Sequence, residues 1–147
     1  MYLDRMTPLL PGAGAKASVE APVFRSEEAL WDAVERERAR TAPLVVLLDE
    51  HGKTMASETF AAWLGRERDE GRQLIIFAVG PADGWARQRS AINIQRSEKG
   101  KGTAVDSQAV LLSLGSITMA HELARLVLCE QVYRALTILK GHPYHRG

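Results

Sequence analysis

The chain has 147 residues, 46% of them hydrophobic and 25% charged, which is the size and composition of one ordinary soluble globular domain. The single cysteine, Cys129, excludes an internal disulfide and a cysteine-based zinc cluster. No signal peptide is visible and no apolar run reaches the roughly 18 residues that a membrane-spanning helix needs, so we expect a cytoplasmic protein.

The net charge of +1 is unevenly distributed. Residues 1–84 carry an excess of acidic side chains, whereas residues 85–101 hold five Lys or Arg and one Glu. A basic second half suits a partner that is anionic on one face, such as nucleic acid. From charge alone, a solvated loop with several basic residues is an equally good interpretation.

The hydrophobic pattern predicts helices alternating with strands. Residues 26–40 have helical spacing with Ser26 as N-cap, and residues 57–70 form a second amphipathic segment. The continuous apolar runs at 43–49, 74–79 and 109–114 read as buried parallel strands, and a long helix follows from about 119 to 140. This alternation predicts an α/β fold with a mostly parallel sheet.

Residues 95–108 (QRSEKGKGTAVDSQ) interrupt this pattern with a polar, glycine-containing, basic stretch. A long loop of this kind in a compact domain is either functional or disordered. We treat it as a flexible basic insertion within a single domain spanning residues 1–147.

The carboxyl ends of the three predicted strands are the expected ligand positions, because α/β sheets bind ligands there. They comprise residues 48–50, 80–84 and 114–118, and glycines at the second and third let a ligand approach the backbone. Asp49 and His51 offer titratable groups, although a solvated turn is the simpler interpretation of such residues.

The C-terminal region carries a second cluster of titratable residues. Glu130 and Arg134 have the i,i+4 spacing of an intrahelical ion pair, which is the simplest interpretation of the two. His142, Tyr144 and His145 follow in a tail that reads either as a frayed terminus or as part of a site. The two histidines lack a suitably spaced third ligand, so no metal is expected.

Five sequence blocks in fixed order carry a family resemblance. They are LLDEHGK at 47–53, SETFA at 57–61, FAVGPADG at 77–84, LSLGSITMAH at 112–121, and EQVYRA at 130–135 with HPYH at 142–145. Together they resemble the RlmH family, SPOUT-superfamily methyltransferases that act on N3 of a pseudouridine in 23S rRNA. The resemblance covers residues 43–147 apart from the basic insertion.

The resemblance implies a C-terminal trefoil knot, a homodimer and S-adenosylmethionine held largely by backbone groups. The cofactor contacts of the family fall here on Leu48, Gly80, Pro81, Gly115, Ser116, Ile117, Thr118, Met119 and Ala120. The family also implies that the tail closes over the cofactor pocket. These positions coincide with the three strand ends.

The resemblance also implies the chemistry of the tail. Methyl transfer to an imide nitrogen requires a proton to leave, and histidine is a suitable base near neutral pH. We expect His145 or His142 to be this base, with Tyr144 positioning it, Arg134 contacting phosphate or imide anion, and Glu130 orienting Arg134.

This chain departs from the family pattern at several positions. Pro81 and Ala120 stand where the family usually has glycine and proline, and Gly115 replaces a serine. Members begin with an extra strand and helix, and Tyr2–Arg5 resembles the end of that helix, so we expect an N-terminally short chain. A non-catalytic knotted dimer that binds RNA or ribosomes is therefore the alternative, and a generic α/β nucleotide-binding or hydrolase domain is the third.

Overall fold

The computed structural model describes Met6, residues 19–80, Trp85 and residues 109–146. Within these residues the helices are α1 (Glu27–Arg38), α2 (Ser57–Asp69) and α3 (His121–Lys140), and the strands are β1 (Leu44–Lys53), β2 (Ile75–Val79) and β3 (Ala109–Leu112). A 3₁₀ helix, Pro143–Arg146, follows α3. The basic insertion, Pro81 and Tyr2–Arg5 lie outside the described residues.

The chain divides into two compact units. The first, which we call the sheet unit, contains residues 24–54 and the described part of 71–121. The second, the helical unit, contains residues 55–70, residues 122–146 and the described part of 1–23.

The sheet unit is built on a parallel sheet in the order β2-β1-β3. Leu44 pairs with Ile75 and Leu48 with Val79 on one side of β1, and Val45 pairs with Ala109 and Leu48 with Leu112 on the other. Val45, Val46 and Leu47 are consecutive and fully buried, which is the pattern of a parallel strand covered on both faces. The predicted α/β arrangement with parallel strands is thus observed.

One face of this sheet packs on α1. Trp31 and Val34 of the helix contact a core that contains Val45 and Leu47 of β1 together with Ala78, Trp85, Ala109 and Leu111. Helix α1 begins where the sequence predicts, because the Ser26 hydroxyl accepts a hydrogen bond of 3.1 Å from the Ala29 amide.

Two strands end at least two residues away from the predicted position. Strand β1 continues to Lys53 instead of ending at Asp49, because a register shift between Leu48 and Lys53 lets both residues pair with Leu112. Strand β3 ends at Leu112, two residues early, and α3 begins at His121. The segment from 113 to 120 is therefore neither strand nor helix.

The helical unit contains α2, most of α3 and the 3₁₀ helix. Its core consists of Met6, Tyr133 and Leu136, with Val132, Cys129, Val19 and Tyr144 packed against them. Cys129 is a packing residue here, as its apolar neighbours in the sequence indicate.

Candidate functional site

The first group of predicted site residues lies at the carboxyl edge of the sheet. Leu48 ends the regular part of β1, Gly80 follows β2, and the segment from 113 to 120 follows β3. Since Leu48 pairs with both Val79 and Leu112, the register places these chain segments at one edge. We call Leu48, Gly80 and residues 115–120 the strand-end site. Pro81, also predicted here, lies outside the described residues.

Trp85 supports two residues of the strand-end site. Its indole N–H donates a 2.9 Å hydrogen bond to the carbonyl of Leu48. Its ring packs so close to Gly80 that a Cβ there would lie 2.5 Å from ring atom Cε2. Only glycine fits such an approach, so the packing of Trp85 by itself requires glycine at position 80. Trp85 itself is 2% exposed and meets Trp31 edge to face, with ring centroids 6.1 Å apart.

The segment after β3 exposes several consecutive residues to solvent. The Ser113 hydroxyl accepts from the Gly115 amide and donates to the Gly115 carbonyl, both at 3.0 Å, which fixes the turn. Gly115 has φ +130°, a conformation that favours glycine, and a Cβ there would meet nothing within 4 Å. Residues 116–118 are exposed, and Ile117 is 80% exposed. Open space therefore lies beside the backbone at Gly115, next to these exposed residues.

His121 ties the end of this segment to β2. Its Nε2 lies 3.2 Å from the carbonyl oxygen of Val79, which can only accept, so we assign the proton to Nε2. The contact connects the start of α3 with the residue that precedes Gly80.

Asp49 and His51 lie within the last part of β1, which continues to Lys53. The Asp49 side chain is 1% exposed and accepts a 2.8 Å hydrogen bond from the amide of His51, while the His51 ring nitrogen Nδ1 lies 3.2 Å away. The solvated turn that the sequence favours here is not observed, because both residues belong to β1 and the Asp49 carboxylate is buried, whereas the His51 imidazole is exposed.

The second group of predicted residues lies in the helical unit and centres on Glu130. Its Oε2 accepts from Arg134 Nη2 at 2.7 Å and from the Tyr144 hydroxyl at 2.8 Å. Its Oε1 accepts at 2.7 Å from Gln131, whose own carbonyl oxygen accepts at 2.9 Å from the hydroxyl of Ser57. The i,i+4 ion pair predicted from the sequence is present, and it extends into a larger network.

The 3₁₀ helix packs the tail against α3. The ring of Tyr144 meets Tyr133 at 4.7 Å in an edge-to-face contact, and the guanidinium carbon of Arg134 lies 5.0 Å from the Tyr144 ring centroid. Such contacts hold an aromatic ring in one orientation. The tail is therefore an ordered part of the helical unit.

His145 occupies the end of the network. Its Nδ1 lies 3.0 Å from Arg134 Nη1, and its Nε2 lies 2.7 Å from Oε2 of Glu58 in the first turn of α2. His142 is exposed and accepts a 3.2 Å hydrogen bond from the Tyr144 amide. The Tyr144 hydroxyl contacts Glu130, which in turn binds Arg134, the residue that contacts His145. We call Glu58, Glu130, Arg134, Tyr144 and His145 the tail cluster.

The contacts of the tail cluster shift the pKa values of both carboxylates. Burial raises the pKa of Glu130, but hydrogen bonds from Arg134 and Tyr144 outweigh this effect, so the net shift is downward. The hydrogen bond from His145 lowers the pKa of Glu58, which is an exposed side chain. Both groups are ionised at neutral pH and keep the cluster charged.

Three members of this network were not predicted from the sequence. Glu58 and Ser57 look like ordinary first-turn residues of a helix, and Gln131 looks like a surface residue beside Glu130. The block 57–61 belongs to the family resemblance, and it was the one signal that pointed to this turn.

The chain matches the family described as "Predicted SPOUT methyltransferase" over residues 5–145. This match covers nearly the whole chain, so the chain belongs to the SPOUT methyltransferase family, and the resemblance and fold class predicted from the sequence are confirmed. Membership of this family implies the C-terminal trefoil knot.

Individual relatives agree with the family. A protein of Koribacter versatilis named ribosomal RNA large subunit methyltransferase H is 48% identical over 122 residues, which are 83% of this chain and 73% of that protein. The protein of the same name from Rhizobium meliloti is 37% identical over 99% of this chain and 86% of its own length. The one from Brucella abortus (strain S19) is 42% identical over 84% of this chain and 64% of its own length.

No helix within the described part of the chain is long and apolar enough to cross a membrane. In the same residues, no three His, Cys, Asp or Glu side chains are grouped as a metal ion would require.

Proposed function

We propose that the chain transfers the methyl group of S-adenosylmethionine to N3 of a pseudouridine in 23S rRNA, as a homodimer with the ribosome or its large subunit as substrate. The observation that carries this proposal is the family match, which spans both the strand-end site and the tail cluster. The relatives named above are ribosomal RNA large subunit methyltransferases, and one is similar over 99% of this chain.

The strand-end site is the proposed position of the methyl donor. A ligand recognised by main-chain groups fits the open space beside Gly115, the exposed residues 116–118 and the Leu48 carbonyl that Trp85 supports. When bound, S-adenosylmethionine supplies an electrophilic methyl group on a sulfonium. The protein holds this group in line with the acceptor, because orientation contributes much of the rate of such a transfer.

The tail cluster is the proposed source of acid–base chemistry. The imide N3–H must lose its proton as nitrogen bonds to carbon, and His145 is the preferred base because it contacts Arg134 and Glu58. Arg134 neutralises the developing imide charge or an RNA phosphate, and Glu130 fixes its guanidinium. His142, which is exposed and bonded to the tail backbone, is the second choice.

Two measurements test the proposal. Calorimetric titration with S-adenosylmethionine at neutral pH should give saturable binding with a Kd in the micromolar range or tighter, about −8 kcal/mol. Transfer of labelled methyl groups should then occur on ribosomes from cells that lack this modification, and mapping of the rRNA should locate the methyl on a pseudouridine. Free large subunits and assembled ribosomes, assayed in parallel, identify the substrate.

A non-catalytic knotted dimer that binds RNA is the second candidate, and Pro81 favours it, because proline cannot donate the backbone N–H that the family's glycine provides. A folded protein that gives no heat with S-adenosylmethionine but sediments with ribosomes in a salt-dependent manner would establish this alternative.

A further inference from the structure

The imidazole of His145 lies between a cation and an anion. Arg134 Nη1 contacts Nδ1 at 3.0 Å, and the Glu58 carboxylate contacts Nε2 at 2.7 Å. Glu58 lies 87 residues before His145 in the chain, on a different helix. Both partners and the histidine belong to the helical unit.

These two contacts determine which nitrogen carries the proton. A guanidinium can only donate and an ionised carboxylate can only accept, so Nδ1 must accept from Arg134 and Nε2–H must donate to Glu58. The ring is therefore assigned as the neutral Nε2–H tautomer, with its one lone pair directed at Arg134. A ring protonated on both nitrogens would set its Nδ1–H against an N–H of Arg134.

We propose that Glu58 is the positioning residue of His145 and that Arg134 covers the basic nitrogen until substrate anions draw the guanidinium away. This inference rests on the proposed function and adds to it a residue and an order of events. Glu58 acts on the base in the way that a buried aspartate acts on histidine in hydrolases: it holds one tautomer and stabilises the imidazolium that forms.

The proposed step transfers one proton to His145 and one methyl group to the pseudouridine. Once Arg134 moves to an RNA phosphate or the imide oxygens, Nδ1 of His145 accepts the N3 proton of the pseudouridine. The N3–carbon bond forms as the carbon–sulfur bond of the methyl donor breaks, and that bond's electron pair stays on sulfur. The imidazolium, protonated on both nitrogens, keeps its Nε2–H bond to Glu58. No further reactant is needed.

If Glu58 had a purely structural role, its substitution would have different effects. As a first-turn acid of α2, Glu58 also interacts favourably with the helix N-terminus, and its loss would lower stability without changing the chemistry. In the part of the chain that the structure describes, the charged side chains on the His145 ring are Glu58 on α2 and Arg134 on α3; Glu130 binds Arg134, and Tyr144 precedes His145 in the tail. A substitution at Glu58 changes one contact of the ring and leaves the Glu130–Arg134 ion pair on α3 in place.

The experiment compares Glu58→Gln with Glu70→Gln, a control that removes one negative charge from the exposed C-terminal end of the same helix. Glutamine keeps the size of the side chain but removes the charge, and its amide can either accept from Nε2–H or donate to an unprotonated Nε2. Single-turnover methyl transfer from enzyme saturated with S-adenosylmethionine is measured from pH 6 to 9, and ¹⁵N spectra of the imidazoles report the tautomer at neutral pH. His142 serves as an internal reference.

We expect Glu58→Gln to slow single-turnover transfer about tenfold, since a positioned base contributes about 10²- to 10⁴-fold and Glu58 acts only through it. The dependence of the rate on pH should change with it, whereas the affinities for donor and ribosome should stay the same. Glu70→Gln should match the wild type. In the spectra, wild-type His145 should carry its proton on Nε2, and the Glu58→Gln protein should show a mixture of tautomers.

The inference is overturned if wild-type His145 carries its proton on Nδ1, or if Glu58→Gln transfers methyl groups with the wild-type rate and profile. Failure of the proposed function looks different, because the wild type itself would then transfer no methyl group to ribosomes. The tautomer measurement remains informative in that case, since it needs neither cofactor nor RNA.

Discussion

Glu130 shows how one partly buried carboxylate can organise several functional groups. One of its oxygens accepts from both Arg134 and Tyr144, and the other accepts from Gln131. A carboxylate that accepts several hydrogen bonds fixes the positions of its donors. When it is removed, all of these donor side chains lose their fixed orientation together. The guanidinium that contacts His145 is among these donors.

Replacing Glu130 by glutamine should therefore weaken the whole tail cluster. An amide has one acceptor oxygen and no charge, so we expect the free energy of unfolding to fall by about 1 kcal/mol. This value is at the low end of what hydrogen bonds between charged groups contribute, because the Glu130–Arg134 pair is partly exposed. Urea denaturation measures the loss. Glu122→Gln, at an exposed position of the same helix, is the control, and equal effects of the two substitutions would contradict the assigned role.

Gly80 is the second residue whose substitution gives a clear expectation. A methyl group there would lie 2.5 Å from the indole of Trp85, so Gly80→Ala must displace that ring. We expect a destabilisation of about 1–3 kcal/mol, typical of overpacking, together with weaker S-adenosylmethionine binding because Leu48 loses its donor.

Intrinsic fluorescence is the direct measurement for Gly80→Ala, since a displaced Trp85 would emit at longer wavelength. Trp85→Phe, which keeps a ring but removes the N–H, separates the two effects: it should weaken cofactor binding with a smaller loss of stability. An unchanged emission spectrum in Gly80→Ala would show that the close contact does not exist.

At the scale of elements, the N-termini of α1 and α2 provide a matched comparison. Helix α1 has a side-chain cap from Ser26, whereas α2 begins after Ala56, which offers none. Ser26→Ala should lower the free energy of unfolding by about 0.5–2 kcal/mol, and Ala56→Ser should raise it by a similar or smaller amount. Thermal unfolding of both variants measures these effects, and changes of the same sign would refute the assignment of the caps.

Much of this architecture could be predicted from the chain. Ser26 marks the start of α1 by a local rule, and the apolar run at 44–48 has the continuous pattern of a buried parallel strand. The Glu130–Arg134 pair follows from helical spacing alone. All of these features depend on residues close together in sequence.

The features that sequence reasoning missed depend on distant partners. Trp85 donates to a carbonyl 37 residues earlier, and Glu58 meets His145 across 87 residues. Strand β1 runs beyond Asp49 because a register shift lets it pair again with Leu112, and no local pattern encodes that shift. The site roles and the single-domain organisation stay predictions.

At the scale of the whole molecule, the lowered pKa values of Glu58 and Glu130 predict how stability depends on pH. A carboxyl group whose pKa is lower in the folded state binds fewer protons there than in the unfolded chain, so folding is favoured as pH rises through this range. The stabilisation from these two carboxylates is complete above their unfolded-state pKa of about 4.3, and it is lost as the pH falls through their lower folded-state pKa values.

We therefore expect the urea midpoint to be level near neutrality and to fall below pH of about 4.3 more steeply in the wild type than in Glu130→Gln. The difference between the two curves isolates Glu130 from the other carboxylates. Parallel curves from neutral to acid pH would mean that the hydrogen bonds to Glu130 do not persist in solution.

The edge-to-face contact of Trp31 with Trp85 also gives this protein an optical property. Two indoles with centroids 6.1 Å apart and planes at 70° share their excited states, which produces paired bands of opposite sign in circular dichroism. The third tryptophan, Trp63, lies in the helical unit beside Phe60, with ring centroids 5.9 Å apart. A change in the paired bands during a titration would report on the edge of the sheet where Gly80 and Leu48 lie, and it would need no label.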